Sequence, residues 1–367
     1  MSQLILADGT RIEGKSFGAD VPSEGEVVFN TGMMGYPESL TDPSYTGQII
    51  VLTFPLVGNY GVPGEVRDEF DILKTFESDK IHIRGLIVSE YSDTYSHWNA
   101  KESLGDWMKR NNIPGITGVD TRALTQKLRE HGVMLGQIVP DGKKPAKKIT
   151  DPNVNNLVAS VSIDAPRLYK CNKKGAKTIV AIDTGMKNNI LRSLLERGVN
   201  VIRVPWNYDI WSTKGADGTL KFDGLFISNG PGDPSILYET HEVARKAFKK
   251  KIPVFGICLG IQVMAIAAGA KTFKLKYGHR AQNQPVMDVF TKKCYLTSQN
   301  HGFAVNEKTL PKDWEIWMIN VNDKTVEGIR HKKLPFFAVQ FHPEAMPGPV
   351  DTSFLFDDFV KLVNKTK

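Results

Sequence analysis

The sequence predicts an α/β protein in two parts: a C-terminal domain with a largely parallel sheet flanked by helices, preceded by a smaller α+β domain. Three observations carry this expectation. After residue 177, β-rich runs alternate with segments of helical spacing, the pattern of a parallel sheet covered by helices. Before residue 141, short alternating apolar runs are separated by Gly and Pro turns, and helical patterns are few. Between them lies a polar stretch rich in Lys, Pro and Asn, the composition of a boundary.

In the first part the strand-like runs are Glu26–Phe29, Gln48–Phe54 and Ile81–Val88, and helical spacing covers Lys101–Arg110 and Thr121–His131. The boundary stretch, Asp141–Lys177, holds Lys143, Lys144, Lys147 and Lys148, Pro145, Pro152 and Pro166, and Asn153, Asn155 and Asn156. The expected division is residues 1–150, a linker at 151–176, and a second domain at 177–367. In the second domain Thr178–Ile182, Val199–Val204, Gly224–Ser228 and Pro253–Ile257 read as strands. Asn188–Arg197, Glu239–Lys250, Gln262–Ala268 and Ser353–Leu362 read as helices. Such sheets bind ligands at the carboxyl ends of their strands, which singles out the loops after Ser228 and Ile257.

Bulk properties exclude several classes. A chain of 367 residues is long enough for two cores. No apolar run approaches the length that spans a bilayer. The opening residues lack a basic start and apolar block, with Asp8 and Glu13 too early for a leader, so a cytoplasmic location without membrane attachment is expected. The net charge of +7 comes with scattered lysines and no nucleic-acid-binding motif, which points to a solvated surface and no nucleic-acid partner. Cys171, Cys258 and Cys294 make no disulfide framework and no C-x-x-C metal spacing, and no metal site is expected.

Chemistry concentrates at three places. Pro253–Gln262 ends an apolar strand with Gly256-Ile257-Cys258-Leu259-Gly260 and passes at once into a helical run. This is the form of a nucleophile elbow: a sharp strand-to-helix turn lifts the side chain above the sheet, and flanking glycines leave room for the turn. The helix N-terminus beneath the sulfur favours the thiolate. Alone, the motif fits equally a small cysteine packed between glycines. Near the end, Phe336–Phe341 delivers His342-Pro343-Glu344. Proline favours an extended residue before it, and residues two apart in an extended segment face the same side. Glu344 is therefore placed to orient His342, giving a Cys–His–Glu triad. His301, in Gln299-Asn300-His301-Gly302-Phe303, is the competing base and lacks a nearby carboxylate; His279 ranks third. Finally, Ser228–Pro234 contains Gly230-Pro231-Gly232, a turn able to expose amides to an oxyanion together with the Leu259 N–H. It also fits a plain surface turn, but not a phosphate loop, since the Lys of that motif is missing.

Taken together, Gly256–Gln262, Asn229–Pro234, Gln299–Phe303 and Phe341–Glu344 resemble the four signatures of class I glutamine amidotransferases. Gly25–Met33, Gly35-Tyr36-Pro37, Leu40–Tyr45, Gly118–Arg122 and Gln282–Pro285 resemble the small chain of carbamoyl-phosphate synthetase. The resemblance covers about residues 3–362. It implies hydrolysis of L-glutamine, with Cys258 as nucleophile, His342 as base and Glu344 as orienting acid. It places the glutamine contacts on Ser44, Gly230, Gly232, Leu259, Gln262, Asn300, Gly302 and Phe303. Ser44 belongs to the first domain, which implies a pocket where the domains meet. The implied partner is a synthetase large chain or fused synthetase domain, which uses bicarbonate and carries the ATP and Mg sites; this chain is expected to need no cofactor itself. One position departs: Ile261 stands where the family commonly has His. The chemistry is expected to survive, with altered efficiency or regulation. A regulatory or scaffold domain that binds the synthetase is the alternative reading.

Overall fold

Apolar runs bury most of the N-terminal strands on both faces, while Arg11–Gly18 keeps one face exposed, and the strands satisfy their backbone groups by closing on themselves. The computed structural model describes residues 1–365 except 213, 216 and 217. Residues 366 and 367, the end of the expected second domain, lie outside the described residues. The chain divides into two units, Met1–Asp68 with Leu73–Leu157, and Glu69–Ile72 with Val158–Lys367.

The first unit is built on a closed seven-stranded barrel in the order Ser2–Leu6, Met134–Val139, Ser23–Asn30, Gln48–Leu52, Gly85–Ile87, Pro114–Thr117, Arg11–Gly18. Closure leaves no exposed edge. Glycines make room inside: a Cβ on Gly85 would lie 2.7 Å from the Ile138 side chain, and one on Gly136 2.6 Å from Val27. The strand expected over Ile81–Val88 shrinks to Gly85–Ile87. The helix expected over Lys101–Arg110 starts at Leu104, because Ser103 caps it by accepting the Asp106 N–H. Thr121–His131 is helical as expected, capped by Asp120. Ser44 sits in this unit, in the 3-10 turn Pro43–Tyr45, whose entry is fixed by the Ser44 N–H donating to Asp42 Oδ1 at 2.9 Å.

The second unit is a ten-stranded sheet. Its centre is five parallel strands in the order Asn200–Pro205, Thr178–Asp183, Gly224–Ile227, Val254–Ile257, Phe336–Val339. Alternate residues of Thr178–Asp183 face opposite layers. Ile179 and Ala181 join the helices Asn188–Glu196 and Phe354–Asn364 in one core; Val180 and Ile182 join Tyr238–Lys250 and Leu259–Ala268 in the other. Beyond Phe336–Val339 the sheet turns antiparallel through Val326–His331, Trp314–Asn320, Thr272–Asp288 and Cys294–Val305. The stretch read as a linker is structured in part: Arg167–Tyr169 pairs antiparallel with Asn200–Pro205 as the edge strand. Among the described residues no helix is long and apolar enough to cross a membrane.

Candidate active site

Four loops at the carboxyl ends of the parallel strands build the site, where a doubly wound sheet leaves its crevice. The strand Val254–Ile257 ends at Cys258, and the helix Leu259–Ala268 begins with the next residue, three earlier than its sequence spacing indicates. Cys258 has φ 56° and ψ −102°. A non-glycine residue there costs about 1–3 kcal/mol, held by the Cys258 N–H donating to Val339 O at 2.8 Å. The flanking glycines are sterically required. A Cβ on Gly256 would lie 2.7 Å from the Gly260 carbonyl carbon, and one on Gly260 would collide with Ile227 O. Cys258 is only 2% exposed, and its thiol donates to Asn300 O at 3.7 Å.

His342 arrives from Val339 by a different route than an extended strand. The strand stops at Val339; His342 makes a single bridge to Ser298, its N–H donating to Ser298 O at 2.9 Å, and then turns, with the Ala345 N–H donating to His342 O at 3.2 Å. The turn brings the Glu344 carboxylate back under the ring. His342 Nδ1 lies 2.7 Å from Glu344 Oε1. A carboxylate only accepts, so Nδ1 donates, and Nε2 is the nitrogen that gains or loses the ring's second proton. Nε2 is buried and makes no hydrogen bond among the described residues.

Lys187 was not singled out by the sequence, and it completes this group. Its Nζ lies 3.1 Å from Glu344 Oε1, and both side chains are buried. The Asn189 amide donates to the Glu344 carbonyl. The Lys187 loop is set by Asp183, whose Oδ1 accepts the Gly185 and Met186 N–H at 2.9 and 2.8 Å and whose Oδ2 pairs with Arg203 at 2.7 Å. Its position in Gly185-Met186-Lys187, just past the end of a parallel strand, is the signal that could have found it.

The electrostatics follow from burial and neighbours. Burial disfavours the Glu344 anion, but Lys187 and then His342 overrule it and hold the carboxyl below its ordinary range. Burial also disfavours charge on His342, yet the Glu344 carboxylate raises it above an ordinary imidazole, against the opposing Lys187 charge and with help from the adjacent Cys258. His301 goes the other way: burial, His279, Arg280 and His342 push it well below the ordinary value despite its bond to Phe303 O. His301 Nδ1 donates to Phe303 O at 2.8 Å, and Nε2 sits 3.1 Å from Gln299 Oε1.

The remaining residues of the second unit gather around these groups. Gly230 packs so tightly that a Cβ would collide with Thr184 O and lie 3.0 Å from the Leu259 side chain. Gly232 has φ 84°. Leu259 occupies the first helical position, where a backbone N–H has no intrahelical acceptor. Gln262 spends its amide N–H groups inside the protein, on Phe303 O at 2.9 Å and Gln340 Oε1 at 3.1 Å. Asn300, Gly302 and Phe303 follow one another on the strand Cys294–Val305. Ile261 is fully buried in the apolar layer with Val263 and Met264.

The chain is similar to proteins of known family along almost its whole length. Residues 180–362 fit the family model of class-I glutamine amidotransferases. Residues 4–138 fit that of the carbamoyl-phosphate synthase small chain, CPSase domain. The arginine-specific carbamoyl phosphate synthase small chain of Saccharomyces cerevisiae is 50% identical, over 98% of this chain and 88% of that one. Multifunctional protein URA2 of the same yeast is 49% identical over 99% of this chain, and multifunctional protein CAD of Squalus acanthias 48% identical over 100%. The chain spans only 18% and 16% of the length of those two multifunctional proteins. The chain belongs to the carbamoyl-phosphate synthase small-chain family.

Proposed function

We propose that this chain hydrolyses L-glutamine at Cys258 and passes the ammonia to a carbamoyl-phosphate synthetase on a large chain or fused domain. The observation that carries the reading is the buried His342 ring, bound to Glu344 through Nδ1 and close enough to Cys258 for the two to interact. In this reading the Cys258 thiolate attacks the side-chain amide carbon of glutamine. Amides at Gly232 and Leu259 hold the oxyanion. Protonated His342 gives its proton to the nitrogen as the C–N bond breaks, and ammonia leaves a glutamyl thioester. His342 then takes a proton from water, which attacks the thioester; glutamate departs and the thiolate returns. Ser44, Gly230, Gln262, Asn300, Gly302 and Phe303 are the proposed contacts for the rest of the substrate. Free ammonia at neutral pH is mostly ammonium, a poor nucleophile, which favours direct transfer. ATP and Mg belong to the synthetase partner, and the compartment is proposed to be the cytoplasm.

The test is Cys258→Ser in the assembled enzyme. Glutamine-dependent synthesis should fall by several orders of magnitude, while ammonia-dependent synthesis remains. Glutaminase activity retained in the variant would overturn the assignment.

A further inference from the structure

On the antiparallel side of the second unit, three buried side chains from three strands meet. His279 and His301 are directly opposed across the antiparallel pair Thr272–Asp288 and Cys294–Val305, and Glu327 comes from Val326–His331. Their candidate ligand atoms all lie within 4.8 Å of one another. The histidines are 8% and 5% exposed and Glu327 is 0% exposed. The pairing is irregular between Lys274 and His279, where Gly278 adopts φ 70°. Such bulges re-aim the side chain that follows. The two rings stand at 86° with centroids 4.9 Å apart, so they do not stack.

The hydrogen bonding around this trio leaves two of its inner atoms bare, while the third, His301 Nε2, has only the Gln299 side-chain amide beside it, at 3.1 Å. His279 Nε2 is 2.8 Å from Asp323 Oδ2, and His301 Nδ1 is 2.8 Å from Phe303 O. Each oxygen only accepts, so each histidine donates outward. Glu327 Oε1 is held by the Asn320 amide at 3.1 Å. What remains is His279 Nδ1 and Glu327 Oε2, both buried and without a hydrogen-bond partner among the described residues. His279 Nδ1 stands 3.6 Å from Glu327 Oε1, too far for a hydrogen bond. A bare ring nitrogen and a carboxylate facing each other in a buried space are unfavourable unless a proton or a metal ion lies between them. Histidines that donate one N–H to a carboxylate or backbone carbonyl and turn the other nitrogen inward are the usual ligands of a metal.

We propose that His279, His301 and Glu327 form a buried site for one divalent first-row transition ion. Two imidazole nitrogens and one carboxylate oxygen, with no thiolate, suit Zn2+ and leave a position open. The site is separate from Cys258, but His301 lies on the strand Cys294–Val305 that packs beside it. An ion on His301 pins the segment that carries Asn300, Gly302 and Phe303, and Asn300 O is the acceptor of the Cys258 thiol. The inference does not depend on the glutaminase reading.

The test uses the full chain carrying Cys258→Ser, so that the active-site sulfur is not a ligand. Chelator-treated protein is loaded with Zn2+ or with Co2+ as a spectroscopic probe, then passed through a desalting column. The expected result is retention of about one equivalent of Zn2+ per chain, and a Co2+ d–d spectrum without a thiolate charge-transfer band. Glu327→Gln should abolish uptake. Asp323→Asn, outside the ligand set, should weaken it by about 10- to 100-fold while the circular dichroism spectrum is unchanged. Asp323→Asn decides the matter should Glu327→Gln fail to fold. Stoichiometric metal never retained would show that the trio is held by a proton alone, and uptake indifferent to Asp323→Asn would place the ion elsewhere; either result overturns the proposal.

Discussion

Lys187→Met is the most informative perturbation of the active site, because its effects on stability and on proton affinity are separable. Lys187 Nζ and Glu344 Oε1 are 3.1 Å apart, with side chains 7% and 0% exposed. At that distance the attraction is about 5 kcal/mol for an effective dielectric of 20. Stripping water from both charges offsets much of it, but removing one partner of a buried pair costs about 3–5 kcal/mol. His342 stays behind as a counter-ion for Glu344, so the lower end, about 3 kcal/mol, is expected. The second effect concerns His342. Lys187 opposes charge on the ring, so its loss lets the imidazole hold its proton to still higher pH. A raised imidazole contributes stability that is complete below its unfolded value and disappears as pH rises through the folded one. In the variant that alkaline loss moves further up. Denaturant melts across the alkaline range and the pH dependence of glutamine hydrolysis read both effects. An unchanged midpoint at neutral pH, or an alkaline limb that stays in place or moves to lower pH, would refute the reasoning.

Other predictions follow from the same geometry. Glu344→Gln removes the largest group that raises His342 and leaves burial and Lys187 opposed by Cys258 alone, so the ring should titrate well below its value in the unaltered chain; histidine NMR of the variant measures this, and an unchanged titration would refute it. His342→Asn should be far more damaging to hydrolysis than His301→Asn, whose ring nitrogens face Phe303 and Gln299, with Glu344→Gln intermediate; the reverse order in steady-state rates would exchange the two roles. An electrophilic glutamine analogue should label buried Cys258 and spare exposed Cys294, whereas a small alkylating agent should reach Cys294 first; peptide mapping that finds the analogue on Cys294 would remove Cys258 as nucleophile. Ile261→His places an imidazole in a fully apolar layer and should cost about 1–3 kcal/mol of stability; an unchanged thermal midpoint would show that the layer holds a partner for it.

How much of this was legible beforehand varies with the range of the interaction involved. The alternation of strand and helix after residue 177 is local, and so were the elbow and the strand leading to His342. Glycine spacing around Cys258 is a steric requirement of one turn, and it shows in seven consecutive residues. The His342–Glu344 contact was expected from an extended segment, but a turn makes it. The spacing of two residues survived because either conformation can bring those side chains together.

What the sequence determined by itself was therefore the α/β class and the largely parallel sheet of the second part, set by short-range periodicity and sterics, and it singled out the candidate residues Cys258, His342 and Glu344. Only the tertiary structure decided the rest. Closure of the N-terminal strands into a barrel joins Ser2–Leu6 to Met134–Val139, a pairing that no local pattern encodes. Lys187 meets Glu344 across 157 positions of chain, and the His279–His301–Glu327 trio draws on three strands. Ile261 reads as a change beside the substrate, yet the helix turns it into the core. In each case the deciding quantity is which face a residue presents after packing, and that is fixed by neighbours far away in the chain.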